Sequence, residues 1–378
     1  MALYRHEYIR EDASMTANDT YRVDLPKQGH LSSILFRFSG SDLSGLGQSG
    51  GAWRLLDFIS KIAVLANGST IIKSLDAPQL DALSFYDEGV MPPDKWRNYA
   101  TNTQYMYLLL NFGRFKGDYQ LGLDLSKFAN VELQVTNTVS GGQFTSMAIS
   151  TLACYLVDAP PNPFAGYLRT EEWRKWTTVQ DETKYHELDL EYRIRRIMLR
   201  AMPPLDANNV ASTGMSNMMD DVDLSLDTGV IRLYKGGIDD LMRINYYNYG
   251  KMVITAGFPY HSADKGVDMS VGETFGAVAG AGSQSGAVAT TFPTIESARS
   301  DHTQKFESYG ADNPSGLIVA GVSAFNTIMF RFDEPDDPSM YLDPMARRQV
   351  HLNIHTRNAS SAAGGTNYVI LDRFVPYK

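Results

Sequence analysis

The chain has 378 residues, 43 % of them hydrophobic, which suits one large domain or two medium ones with a sizeable core. Lys and Arg number 34 against 43 Asp and Glu, a net charge of −9 with no basic run in either half, which argues against direct nucleic-acid binding. One cysteine, Cys154, excludes an internal disulfide; no stretch reaches the roughly 18 apolar residues of a membrane helix, and MALYRHEYIRED lacks the apolar centre of a secretion signal, so a soluble chain made in a reducing compartment is expected.

Residues 1–20 read as an N-terminal arm, mixed in charge and weakly amphipathic. Short alternating segments then recur between Gly, Pro, Asn and Asp clusters: Ser32–Phe38, Tyr105–Phe112, Val131–Thr136 and Leu152–Val157. Cys154 falls in the apolar run TLACYLV, as a buried, inert thiol would. Pro160–Thr178 is Pro-led, then charged and aromatic, and suits a linker over 160–184 with a short helix around Glu171–Trp176. Strand-like segments resume at Ile194–Arg200, Thr327–Phe332, Val350–His355 and Tyr368–Leu371. With 38 Tyr and Phe and few charges, the chain reads as all-β.

Internal similarity organises these segments. LSSILFRF (Leu31–Phe38) matches IRRIMLRA (Ile194–Ala201) on both strand faces at an offset of 163. Gly68–Gly89 matches Gly229–Gly250 without a gap at an offset of 161, aligning Leu80 with Leu241, Leu83 with Ile244 and Tyr86 with Tyr247. Each copy reads as a strand end leading into a short helix. Leu80, Leu83 and Tyr86 share one helical face, and Gly89 follows as a left-handed terminator. Asp76 and Pro78 supply a cap and first turn in copy one, where copy two has Gly236-Gly237. Leu123–Val135 matches Leu342–Ile354 at an offset of 219, with Val131, Leu133 and Val135 against Val350, Leu352 and Ile354 as a buried face. Leu152–Val157 and Tyr368–Leu371 form a fourth pair in the same order. The jump in offset places about 58 extra residues in the second half. They include Gly272–Pro293, too poor in large apolar groups to form core and expected to run over the surface.

A duplicated sandwich of about eight strands per half, with a helix at the same station and large loops in the second copy, is the plan of two jelly rolls in tandem. On these paired segments the chain resembles the double jelly-roll major capsid proteins of tailless icosahedral DNA viruses, the lineage joining adenovirus with membrane-containing bacterial and archaeal viruses. The resemblance runs from about Tyr21 to Lys378 and is architectural, without a short motif. It implies a first jelly roll over 21–159, a second over 185–378 with a Gly-rich insertion at about 251–326, and no enzymatic activity. It also implies a homotrimer forming a pseudo-hexameric capsomer, with neighbouring capsomers and minor capsid or vertex proteins as partners. Loops such as Gly272–Pro293 would project outward, and the arm 1–20 would face inward toward a membrane or a neighbour. The expected location is the virion, after synthesis in the host cytoplasm.

The sequence offers no convergent catalytic, cofactor or metal set, and none is expected. Two-domain cupin enzymes also pair two jelly rolls and hold a metal on strand histidines, but His351 and His355 lie four apart on a strand, about 13 Å, too far for one ion. Glu132 and Thr136 occupy their places in the first half, and the cupin His-x-His spacing is missing. Asp221, Asp223 and Asp227 resemble a calcium loop, except that Leu226 stands where a sharp turn needs Gly and Arg232 where the bidentate Glu belongs. Asp333, Glu334, Asp336 and Asp337 lie in a Pro-punctuated turn and read as solvated. Gly280, Gly282 and Gly286 miss the dinucleotide-loop spacing by one residue, and no Gly-Lys-Ser/Thr follows. A glycan-cleaving enzyme would need paired carboxylates, and nothing singles out a pair among 43 acids. Trp173, Trp176, Tyr246, Tyr247 and Tyr249 suit a carbohydrate- or receptor-binding module, or the packing of subunits against each other.

Overall fold

The computed structural model describes residues 3–42, 55–90, 95–98, 103–139, 144–157, 164–202, 215–250, 323–334, 336–358 and 363–377, together with six strands between 252 and 321. The first half contributes β1 (Tyr4–Met15), β2 (Thr20–Asp24), β3 (His30–Asp42), β4 (Ile59–Ala66), β5 (Thr70–Leu75), helix α1 (Ala77–Glu88), β6 (Thr103–Asn111), β7 (Val131–Asn137) and β8 (Phe144–Leu156). The second repeats this order with β9 (Gly166–Thr177), β10 (Thr183–Glu187), β11 (Arg193–Met202), β12 (Met219–Leu226), β13 (Ile231–Gly237), helix α2 (Ile238–Tyr249), β14 (Thr327–Arg331), β15 (Val350–Thr356) and β16 (Thr366–Pro376).

Hydrogen bonding sorts each half into two facing four-stranded layers. They are β1-β8-β3-β6 and β2-β7-β4-β5 in the first half, and β9-β16-β11-β14 and β10-β15-β12-β13 in the second. Lys95–Asn98 adds a strand beyond β6. Strand n and strand n + 8 hold the same station, and the four sequence pairs fall on β3/β11, on β5-α1/β13-α2, on β7/β15 and on β8/β16. The correspondence extends to an irregularity. Pairing of β1 with β8 slips between Tyr8, opposite Leu152, and Arg10, while pairing of β9 with β16 slips between Glu172, opposite Ile370, and Arg174. Leu152 and Ile370 are themselves equivalent, because each lies opposite the matched residues Leu35 and Met198. Both halves thus carry the same β-bulge.

Local chemistry explains the turns and caps. Asn67-Gly68, both at positive φ, turn β4 into β5 as a tight hairpin requires. In α1 the Asp76 carboxylate accepts from the Gln79 N–H while the Gln79 side chain accepts from the Asp76 N–H, a reciprocal box, and Gly89 at φ 70° ends the helix. Inward alternation of Val131, Leu133 and Val135, and of Val350, Leu352 and Ile354, fills two cores. The first core also takes in Met198, Phe325, Met329 and Ile370 from the second half.

The boundaries differ from expectation at two places. Tyr4–Met15, expected as an arm, is the first strand of the first sandwich. As the outermost strand, with most side chains on both faces in solvent, it shows no period-2 pattern to read. The expected linker helix around Glu171–Trp176 is instead strand β9, hydrogen-bonded along β16, so the second sandwich begins near Gly166 and not at residue 185. Its charges look helical in sequence, but the inward-facing ones are held by ion pairs. The insertion is not bare loop either: Met252–Phe258, Ser315–Gly321 and Thr274–Ala281 form one three-stranded sheet, and Lys265–Met269, Gln304–Ser308 and Thr294–Glu296 another. The remainder of the Gly272–Pro293 excursion, 272–273 and 282–293, lies outside the described residues, and Gly282 and Gly286 with it.

Candidate functional site: a charged seam between the halves

The two halves join edge to edge. Strand β5 pairs in parallel with β9, Lys73 opposite Thr170 and Ser74 opposite Glu171, so that one eight-stranded sheet crosses both sandwiches. Helix α1 lies against this junction, and ten of its residues are buried. The Tyr86 hydroxyl donates to the Thr327 carbonyl at 2.5 Å and its ring meets that of Tyr249 edge-on at 4.8 Å.

Charges fill the rest of the seam. The Lys73 ammonium, 1 % exposed, donates to Thr170 Oγ1 at 2.7 Å, and that hydroxyl donates to Asp372 at 2.7 Å. Arg195 donates to Asp372 (3.2 Å), Asp87 (2.9 Å) and Asp333 (3.0 Å); Arg196 donates to Asp87 (2.7 Å) and Asp333 (3.0 Å). Arg331 reaches Asp333 at 2.8 Å. Arg200 binds Asp76, the α1 cap, at 2.8 Å, and Gln79 of the same cap donates to Glu172 of β9 at 2.9 Å. Arg373 is shared by Glu171 and Asp189. Arg114 of the first half forks onto Asp118 and donates to the Asp336 carbonyl at 2.9 Å.

Burial governs the titration of these groups. It pulls the Lys73 ammonium down to about 8 against the opposing pull of Asp372 and Asp87. It also lifts the Asp87 carboxyl above its ordinary value despite Arg195 and Arg196. At Asp333 burial acts in the same upward sense, but Arg196, Arg195 and Arg331 outweigh it and hold the carboxyl below the usual range. Such a network stabilises little against an apolar seam of equal shape, yet removing one member strands its partners without water. It acts as a clamp with one geometry. The Lys73 ammonium is thus enclosed and committed to Thr170.

No protein family known from sequence matches the chain, and no curated relative does. Solved structures do. The MCP of STIV, the Sulfolobus Turreted Icosahedral Virus, superposes with a TM-score of 0.60 at 10 % identity over 99 % of this chain and 97 % of its own. The major capsid protein P2 of bacteriophage PM2 gives 0.53 at 11 % identity over 100 % and 99 %, and the PBCV-1 virus capsid 0.57 at 10 % over 99 % and 94 %. The fold is the double jelly roll.

Within the double jelly roll the residues singled out by sequence scatter. His351 and His355 point away from the core on β15, one bonded to Gln349 at 3.1 Å and the other to Thr183 at 3.1 Å. Asp223 faces Arg232 at 3.8 Å, Asp227 accepts from the Arg348 N–H at 2.8 Å, and Asp221 is exposed. No group of three or more His, Cys, Asp or Glu among the described residues converges to hold an ion. Trp173 and Trp176 flank His186 and pack on the second core; Tyr247 is exposed, and Tyr249 is in the seam. Cys154 is buried, and burial raises its thiol pKa.

One expectation is overturned. Asp333, expected in a solvated turn, is 2 % exposed and takes three arginines, because the turn folds back over β11. Glu334, Asp336 and Asp337 are exposed. The seam arginines are not singled out by the sequence reading, although RIRRIMLRAM carries a signal: adjacent Arg195 and Arg196, flanked by Ile194 and Ile197 in one strand, put at least one guanidinium on the buried face, where it must find an acid.

Proposed function

We propose that the chain is a major capsid protein, a non-catalytic subunit whose copies associate in threes into six-sided capsomers of an icosahedral viral shell. The observation carrying this reading is full-length agreement with capsid subunits in a chain that is itself a tandem duplication. Two similar sandwiches per chain let three chains occupy a six-fold lattice position. The buried seam supports it, since a fixed angle between halves is what a closed ring of six sandwiches needs. Partners are further copies, neighbouring capsomers and the minor proteins that close vertices, and the location is the virion after synthesis in the host cytoplasm. The segment expected to meet a membrane is tied into a sheet over Tyr4–Met15, so lipid contact carries no part of this reading. Light scattering behind a sizing column tests it: the expected mass is about 126 kDa, three times 42.0 kDa, with a hexagonal outline in negative stain. A monomer at high concentration would refute it.

A further inference from the structure

A row of side chains crosses the second sandwich at the end where the chain returns from the insertion. Trp176 on β9 lies opposite Asn367 on β16, Asn367 lies opposite Ala201 on β11, and the Ala201 N–H donates at 3.2 Å to the carbonyl of Asn326, the residue before β14. Ala201 belongs to the second core and Trp176 packs on it, so the row faces inward. The equivalent row of the first sandwich is Ala13, Ile149, Phe38 and Met106, again mutually opposite. Ile149, Phe38 and Met106 are all buried in the first core. Asn367, Ala201 and Asn326 therefore stand where the other copy has three large apolar side chains.

Both asparagines are 0 % exposed, and neither carboxamide finds a hydrogen-bonding partner among the described residues at its nitrogen or its oxygen. Trp176 Nε1, Thr178 Oγ1 and Ser323 Oγ are buried and unpartnered as well. Polar groups in a protein interior are costly when left dry and are paired with protein or with ordered water. The row also has room. The strands that carry the two asparagines are about 10 Å apart, two strand spacings, and only the Ala201 methyl stands between them, where the first copy has a phenyl ring. Trp176 supplies a ring only at the far end, where it meets His186 at 4.8 Å. The return segment is itself held against its preference: Ser323, Phe325 and Asn326 have φ of 65°, 50° and 54°, a left-handed backbone that non-glycine residues keep only where their surroundings fix it.

The chemistry of the row narrows what it takes. Indole and amide N–H groups donate, amide carbonyls accept, hydroxyls do either, and all four residues of the row are neutral. Such a set suits a small neutral molecule that both donates and accepts, and neither a bare cation nor an anion. We infer that the row holds ordered internal water, with at least one molecule bridging Asn367 and Asn326 across Ala201 and Trp176 Nε1 donating to the same cluster. Water then ties the strand that resumes after the insertion to β16 and β9, a tie that Phe38 makes by packing in the first sandwich. The site lies on the opposite face of the sheet from Arg200, which turns to the seam, and it is independent of the capsid reading.

The test uses the full chain. Side chains on strands about 10 Å apart, without mutual contact, contribute additively unless something joins them. Asn367→Ile installs the residue of the first copy, and Asn326→Gly removes the carboxamide while keeping the left-handed backbone. Each is expected to lower the urea midpoint, and the double variant to fall little further than the worse single one, because the second change removes a ligand of water already lost. A double variant whose shift equals the sum of the two overturns the bridge. A density map of the unaltered chain, at a resolution that shows ordered water, keeps the inference testable if a variant fails to fold. It is expected to show a water peak within hydrogen-bonding distance of both asparagines; carboxamides bonded directly to each other, or covered by apolar side chains with no peak between them, overturn it.

Discussion

Helices α1 and α2 occupy the same station in two copies of one unit, yet they live in different solvents. Helix α1 is enclosed, boxed by Asp76 and Gln79 and wired through Arg200 and Glu172 to the other half. Helix α2 starts at Gly237 without a side-chain cap, keeps only Ile238, Leu241, Met242 and Asn245 buried, and turns aromatic rings to water. The difference teaches that burial here is a property of context and not of the helix sequence alone. Both helices present apolar side chains at the same offsets, and the neighbouring sandwich decides which are covered.

That contrast can be broken most severely at the charges. Asp333→Ala leaves Arg195, Arg196 and Arg331 without their shared partner and is expected to cost about 3–5 kcal/mol in urea unfolding. A loss below 1 kcal/mol would show that water enters the seam. Leu83→Ala is expected to cost about 2–5 kcal/mol, and its counterpart Ile244→Ala, measured in dilute monomer, within about 0.5 kcal/mol. Equal losses at the two sites would erase the distinction between the helices.

Lys73 gives the contrast a pH signature. Its folded-state pKa, about 8, lies below the ordinary 10.5, so the folded protein carries a buried-cation penalty at neutral pH. Between those values the unfolded chain holds the proton and the folded chain does not. Stability therefore rises with pH across that window, by up to roughly 3 kcal/mol. The expected outcome is a rise in the wild type that is absent from Lys73→Met; parallel curves for the two proteins would count against it. Smaller effects come from the helix starts. Asp76→Ala is expected to cost about 1–2 kcal/mol, and Gly237→Ser to gain a few tenths, both read from thermal midpoints.

The duplication was legible in the sequence because inward positions of β3, β7, β11 and β15 are tied to a core and keep their alternation. The seam was not, for a physical reason that differs by residue. Residues of β1 are exposed on both faces, so nothing constrains their pattern; Glu171, Glu172 and Arg174 of β9 look like a solvated helix until Arg373 and Gln79 are seen to hold the inner acids. Asp333 stands among acids that are solvated, and two of the three arginines that mark it as different, Arg195 and Arg196, are far away in sequence. Pairs across a seam leave no local period, whereas strand faces do.

The shared bulge in β1 and β9 speaks to ancestry. A bulge adds one residue to a strand, and deleting it would turn every side chain beyond it to the opposite face. Such an irregularity is hard to gain twice at one station and hard to lose once present. The simplest history is a single ancestral sandwich that already carried it, was copied in tandem, and then diverged chiefly where the copies touch, at the charged junction inside the chain.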